Sequence, residues 1–389
     1  MTAASAGTME MIERLIGIET TSRLSNLPLI ECVRDYLVGL GVEPVLTYND
    51  AGHKANLFAT LGPKDRGGII LSGHTDTVPV DGQTWSSDPF RLAMRDGKLF
   101  GRGIVDMKGF LAIALAQAPT FLERGLATPI HYALSYDEEV GCLGVPRLID
   151  DIRRRGILPN ACIVGEPSMM DVVRSHKGKI GCHVTVTGVA AHTGVPHLGV
   201  NAIEAAAEAI ACLKQIQRRH RDHGPFDHGF EPPPYTTVQH GRITGGIAVN
   251  TVPNLCEFDF DIRFLPVVDP MEIVREVQTF VCHKIEPEMH AVSRETGFGW
   301  AIVPGAQALD TPAKHEVVQL VMRLAETHTL KRVGFGTEAG HFQKAGIATA
   351  ICGPGHVDQA HKADEFVTME QVVRCEAFMR SLMDEVCVG

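Results

Sequence analysis

Along the first half of the chain, hydrophobic positions fall alternately into helical and strand periods. Apolar residues at helical spacing over 9–18 and 29–40 predict two amphipathic helices, and the denser runs 55–61 and 68–72 predict buried strands. A helix over 107–122, a strand over 130–136 and a short strand over 161–164 follow. This alternation is that of an α/β domain with a mainly parallel central sheet. After Lys179 the rhythm changes to strand 180–188, helix 202–218, strands 236–243 and 255–264, helix 271–283 and strand 289–293. The βαββαβ order is that of a ferredoxin-like module. Residues 220–234, rich in His, Gly and Pro, read as a long surface loop within it. From about 296 the first rhythm returns, with helices 313–327 and 369–386 and a strand 348–351. The expected organisation is therefore one domain made of 1–178 and 295–389, with 179–294 inserted; the chain shows no internal repeat.

In an open α/β sheet, ligand-binding groups collect beyond the carboxyl ends of the strands. Acids and histidines stand there. The strand 68–72 runs into Gly73-His74-Thr75-Asp76, the strand 130–136 into Asp137-Glu138-Glu139, and the strand 161–164 into Gly165-Glu166-Pro167. Asp106 opens the helix in Gly103-Ile104-Val105-Asp106-Met107-Lys108-Gly109, and His361 follows the late strand in Gln359-Ala360-His361-Lys362. Taken singly, each has an ordinary reading: a capping or surface histidine, a helix N-cap, a solvated acidic turn, a loop acid. Together they match a two-metal hydrolytic site, in which one carboxylate bridges two divalent ions and each ion adds a His and a carboxylate. That donor set suits zinc or cobalt. Side chains two apart on an extended segment share a side, so Asp76 is placed to orient the His74 imidazole. Adjacent Glu138 and Glu139 point opposite ways, which lets one ligate while the other serves as general base.

Composition narrows the function without naming it. The 389 residues are 44% hydrophobic and 21% charged, the balance of a globular protein, and a net charge of −10 gives no basic surface for nucleic acid. No run approaches the roughly 20 apolar residues of a membrane span, and the start lacks a signal-peptide pattern. The 10 cysteines form no CxxC pair, and no disulfide framework is expected. A soluble, cytoplasmic protein is expected, with neither nucleic acid nor membrane as partner. Gly101-Arg102-Gly103 lacks the third glycine of a dinucleotide fingerprint, and neither a Walker sequence nor a Gly-x-Ser-x-Gly elbow occurs.

The segments around His74, from Gly101 to Gly109, at Asp137-Glu138-Glu139 and at Gly165-Glu166-Pro167-Ser168 resemble the M20 family of metallopeptidases and deacylases, over nearly the whole length. The resemblance implies a zinc-peptidase-like catalytic domain with an inserted dimerisation or lid domain, acting as a homodimer. It implies two zinc ions, replaceable by cobalt: His74, Asp106 and Glu166 hold one, Asp106, Glu139 and His361 the other, with Asp106 bridging. It makes Asp76 the residue that orients His74, Glu138 the general base, and His192 of the inserted module the donor to the oxyanion, in its own or a partner's site. His356, which follows the turn sequence Gly353-Pro354-Gly355, rivals His361; the Gln359-Ala360-His361-Lys362 segment resembles the family's last motif and favours His361.

The implied reaction is hydrolysis of a small N-acyl amino acid, first of all N2-acetylornithine in arginine biosynthesis. Thr337-Glu338-Ala339 favours it over N-succinyl-diaminopimelate, whose hydrolases resemble Thr-Ser-Asp there. A dipeptide or another N-acyl amino acid is the alternative substrate. A non-catalytic binding protein is disfavoured, because every ligand and the base are present. Arg263 is the expected grip on the substrate carboxylate, with Asn250, Lys177 and Thr337 as further contacts and Glu338 as the partner of a side-chain ammonium.

Overall fold

A computed structural model describes residues 3–230 and 232–387. The chain divides into two compact units, one formed by the residues up to Ser175, Leu309–Arg332 and the residues from Thr337 on, the other by His176–Ala308 and Val333–Gly336.

Among the described residues, the first unit is built on a nine-stranded sheet. Its four central strands, Ile130–Ser135, Ile69–His74, Ala161–Val164 and Thr349–Ile351, are neighbours in that order and run parallel. Every residue of these four is buried, as expected for parallel strands covered by helices on both faces. Ala55–Leu61 and Val45–Tyr48 extend one side antiparallel. The register aligns His74 with Ser135 and Ser72 with Val164. The segments that follow therefore emerge along one edge, which is why Asp76, Glu138, Glu139 and Glu166 meet.

The helix Ala6–Ile16 is capped by Ser5, whose side chain accepts from Thr8 N. It buries Met11, Ile12, Leu15 and Ile16 at helical spacing against Lys108–Ala116. Each such side chain contributes about 1.5–3 kcal/mol by leaving water, more than the cap. The expected helix over 107–122 is two helices, Lys108–Ala116 and Ala118–Arg124, because Pro119 starts a new one.

The second unit is a four-stranded antiparallel sheet in the order Thr237–Gly245, Leu255–Phe264, Gly178–Thr187, Gly297–Val303. Along Leu255–Phe264, Cys256, Phe258, Phe260, Ile262 and Phe264 are buried and alternate with Glu257, Asp259, Asp261 and Arg263. Ala202–His223 and Pro270–Phe280 supply the helices, so the βαββαβ order holds. Three details differ from the sequence reading. Residues 289–293 are not the last strand: Glu286–Val292 is helical and continues Pro270–Phe280 through one π turn, with Ile285 and Met289 buried four apart on one stripe. The last strand is Gly297–Val303, which pairs with Gly178–Thr187, and the division between the units therefore falls at Ala308 instead of 294. The helix capped by Asn201 also runs on to His223, shortening the loop read over 220–234.

Candidate active site

His74 ends its strand fully buried. Its Nε2 lies 2.9 Å from Asp106 Oδ1 and 3.8 Å from Glu166 Oε1. Its Nδ1 lies 2.9 Å from the carbonyl oxygen of Asp76, with Asp76 Oδ1 3.6 Å away. The ring is thus held chiefly by the Asp76 main chain, where the sequence pointed to the carboxylate. That carboxylate has other work: its Oδ1 accepts from Glu138 N at 3.0 Å, and its Oδ2 from Glu139 N at 3.3 Å and Ser22 Oγ at 2.7 Å. Asp76 therefore fixes the turn that carries Glu138 and Glu139. Asp137 adds a second anchor through its buried ion pair with Lys54.

His361 arrives from the far end of the chain. Its Nε2 is 3.2 Å from both Asp106 Oδ2 and Glu139 Oε2. Asp106 thus presents one oxygen to each imidazole. His356, the rival, accepts from Asp358 N at 3.1 Å and caps a short 3-10 turn. The structure brings His361, not His356, to the carboxylates.

Five carboxylates, of Asp76, Asp106, Glu138, Glu139 and Glu166, converge on two imidazoles, and the crowding shifts their proton affinities, those of the three glutamates upward. Burial pushes Glu138 up to about 8, with Glu139 and Asp106 adding to the effect. Glu166 and Glu139 are raised by burial and by Asp106. Burial opposes charge on His74, yet Asp106 and Asp76 hold its proton well above the usual range. Hydrogen bonds to Asp106 and Glu139 push His361 up to about 10. Glu139 Oε1 is buried with no partner among the described residues.

A divalent cation relieves such a cluster, replacing the extra protons and taking up the orphan oxygen. In two groups one donor atom from each residue lies within 4.8 Å of the others: His74 with Glu138 and Glu166, and His74 with Asp106 and Glu139. The residues present fit a metal centre.

The other expected contacts fare differently. Arg263 is part-exposed on its strand, its Nε 3.2 Å from Asp261 Oδ1. Asn250 and His192 are exposed, and Asn250 O accepts from Thr193 N at 3.2 Å. Three residues are not open to a substrate. Glu338 is fully buried, and its oxygens accept from Ser72 Oγ at 2.7 Å and Ser135 Oγ at 2.5 Å. It ties two strand ends together instead of meeting an ammonium. Lys177 Nζ donates to the carbonyls of Pro233 and Tyr235 at 2.6 and 2.8 Å, holding the end of the 220–234 loop. Thr337 is buried, its Oγ1 accepting from Ala339 N. Short sequence motifs carry no burial signal, so these three looked available.

Comparison with known proteins places the site in a family. The model of peptidase family M20/M25/M40 matches residues 70–385. An acetylornithine deacetylase of Pasteurella multocida is 33% identical over 388 residues, covering 98% of each chain, and one of Myxococcus xanthus is 33% identical over 385 residues, covering 97% of each. The chain belongs to the M20 family. This M20 hydrolase also shares its fold with an aminopeptidase of Bacillus cereus (TM-score 0.75, 21% identity, 98% of this chain and 99% of that one) and an M20 metallo-carboxypeptidase of Sulfolobus solfataricus (TM-score 0.74, 15% identity, again 98% and 99%).

A pair of substitutions checks the ligand assignment. In the M20 hydrolase, His361→Ala is expected to weaken one of two metal equivalents by at least about 10–100-fold, the range of a lost outer contact, and His356→Ala to leave both bound. Metal titration of the two variants decides it, and the reverse result exchanges the two histidines.

Proposed function

We propose that the chain hydrolyses N2-acetyl-L-ornithine to L-ornithine and acetate, as a step of arginine biosynthesis in the cytoplasm. The observation that carries the substrate is likeness, at about a third identity and over the whole length, to proteins bearing the name acetylornithine deacetylase. The chemistry rests on the cluster of buried His74 and Glu166, half-buried Asp106, Glu138 and Glu139, and exposed His361, whose Nε2 reaches Asp106 and Glu139.

His74, Asp106 and Glu166 would hold one ion and Asp106, Glu139 and His361 the other, zinc by preference and cobalt as substitute. When bound, the ions supply Lewis-acid stabilisation of charge on the acyl oxygen and a more acidic attacking water. Glu138 takes one proton from the attacking water, whose oxygen bonds to the acyl carbon, and the tetrahedral adduct expels the amine as the C–N bond breaks. Glu138 returns its proton to the amine nitrogen. His192 donates to the oxyanion, and Arg263 and Asn250 receive the substrate carboxylate and its neighbours. The second unit serves as the lid and the homodimer contact.

The test is amine release from the metal-free chain reloaded with zinc or cobalt, offered N2-acetylornithine, N-succinyl-diaminopimelate, N-acetylmethionine and a dipeptide. Acetylornithine is expected to lead in kcat/KM by at least about tenfold, the scale on which a differing side chain is discriminated. Preference for another member of the panel moves the substrate and keeps the chemistry; no cleavage by the metal-loaded chain removes the proposal.

A further inference from the structure

Glu365 lies four residues beyond His361 and is 1% exposed. Its Oε2 accepts from Arg102 Nη1 at 2.7 Å and Gly103 N at 3.0 Å; its Oε1 accepts from Val105 N at 2.8 Å and Asp106 N at 3.3 Å. The loop with the incomplete dinucleotide signature thus wraps its amides around a carboxylate of the protein itself, as backbone nests wrap anions. Gly103 makes this possible: its φ is +82°, and a Cβ there would meet Thr77 Cγ2 at 2.7 Å.

From Arg102 the contacts continue toward the other ligand. Arg102 Nη2 donates to Gln83 Oε1 at 2.7 Å, its guanidinium lies 5.0 Å over the Trp85 ring, and Gln83 Nε2 donates to the carbonyl of His361 at 3.0 Å. His361 needs such a hold. Its φ of +63° is one that a side-chain-bearing residue adopts at a cost. Asp364 pins the same segment, accepting from Ser86 N and Oγ at 2.9 and 2.8 Å.

We propose that the Glu365–Arg102–Gln83 chain is a positioning device: it fixes Asp106 and His361 relative to each other and so sets the affinity of the metal site they share with Glu139. This rests on the two-metal reading above. None of the three needs to touch a metal or a substrate; each acts through the main chain of a ligand or of the loop bearing it.

The test titrates the metal-free chain with zinc against a competing chelator and records its thermal melting in the same state. Gln83→Ala is the first variant, because Gln83 is part-exposed and its loss leaves the buried Arg102–Glu365 pair intact. Arg102→Lys is the second, keeping the charge beside Glu365 without the fork that reaches Gln83. Both are expected to weaken one metal equivalent about 10–100-fold, leaving the other, and the melting of the metal-free chain under Gln83→Ala, unchanged. Unchanged affinity of both equivalents in both variants overturns the proposal, as does equal weakening of the two together with a lowered melting temperature under Gln83→Ala, which marks general loosening. A parent chain that binds fewer than two equivalents overturns the two-metal reading itself, and the proposal with it.

Discussion

Glu138→Gln is expected to lower kcat by about 10²–10⁴-fold, the usual contribution of a general base, with both metal equivalents retained. Glutamine has nearly the same shape but cannot accept the proton. The backbone at this position is held independently, by Asp76 Oδ1 on Glu138 N, so the turn stays in place. The measurement has a second edge, because Glu138 also lies within ligand distance of His74 and Glu166. Activity lost together with one metal equivalent would make Glu138 a ligand; activity retained would leave the proton transfer to another group. The pH profile adds a sign. A base must be ionised, so kcat/KM falls as pH falls through its pKa. Burial sets that value at about 8 in the metal-free chain, and neighbouring cations favour the ionised form, so the loss is expected below pH 8. Glu138→Gln should abolish this limb.

Asp76 shows what in this site was legible beforehand and what was not. Its spacing from His74 put both on one side of an extended segment, and the structure has them adjacent. That the carboxylate would instead hold the amides of Glu138 and Glu139 follows from parallel register, which aligns His74 with Ser135. Register is a long-range property, absent from any local window. Ser22, Lys54, Gln83 and Glu365 were missed for the same reason. Each bonds to a residue far along the chain and sits in an unremarkable local pattern. Arg102 and Gly103 did leave a local signal, the Gly-Arg-Gly triplet. It was rejected as a nucleotide site, and its real anion, Glu365, stands 262 residues away from Gly103.

The fold was readable wherever burial is two-sided or strictly alternating. The central strands are buried at every residue and Leu255–Phe264 at every second one, and both patterns survive in the sequence. The end of the inserted module failed because 289–293, Met-His-Ala-Val-Ser, is short and only partly apolar, and so short a stretch carries no period of its own. Its helical nature comes from Ile285 and Met289 packing as a continuation of the preceding helix. The misjudged substrate contacts failed differently. Lys177 and Glu338 are charged, and charge suggests exposure; each is instead buried with its own set of partners.

Asp106→Asn is expected to weaken both metal equivalents together, each by more than about 100-fold, beyond what loss of an outer contact causes. Turnover should fall on the order of 10⁴-fold or more, since base and metal chemistry fail at once. Asp106 Oδ1 lies 2.9 Å from His74 Nε2 and Oδ2 lies 3.2 Å from His361 Nε2, so each oxygen serves one half of the site. Both imidazoles hold the Asp106 carboxyl well below its usual range despite burial, which keeps both oxygens anionic. Asparagine offers one oxygen and no charge, and turns an NH₂ toward the other half. Folding is not at stake, because the loop is fixed through its amides by Glu365, including the amide of residue 106 itself. Metal titration of Asp106→Asn beside His361→Ala separates the roles: a terminal ligand costs one equivalent and a bridge costs two. Loss of a single equivalent in Asp106→Asn would rule out the bridge and reduce Asp106 to the ligand of one ion.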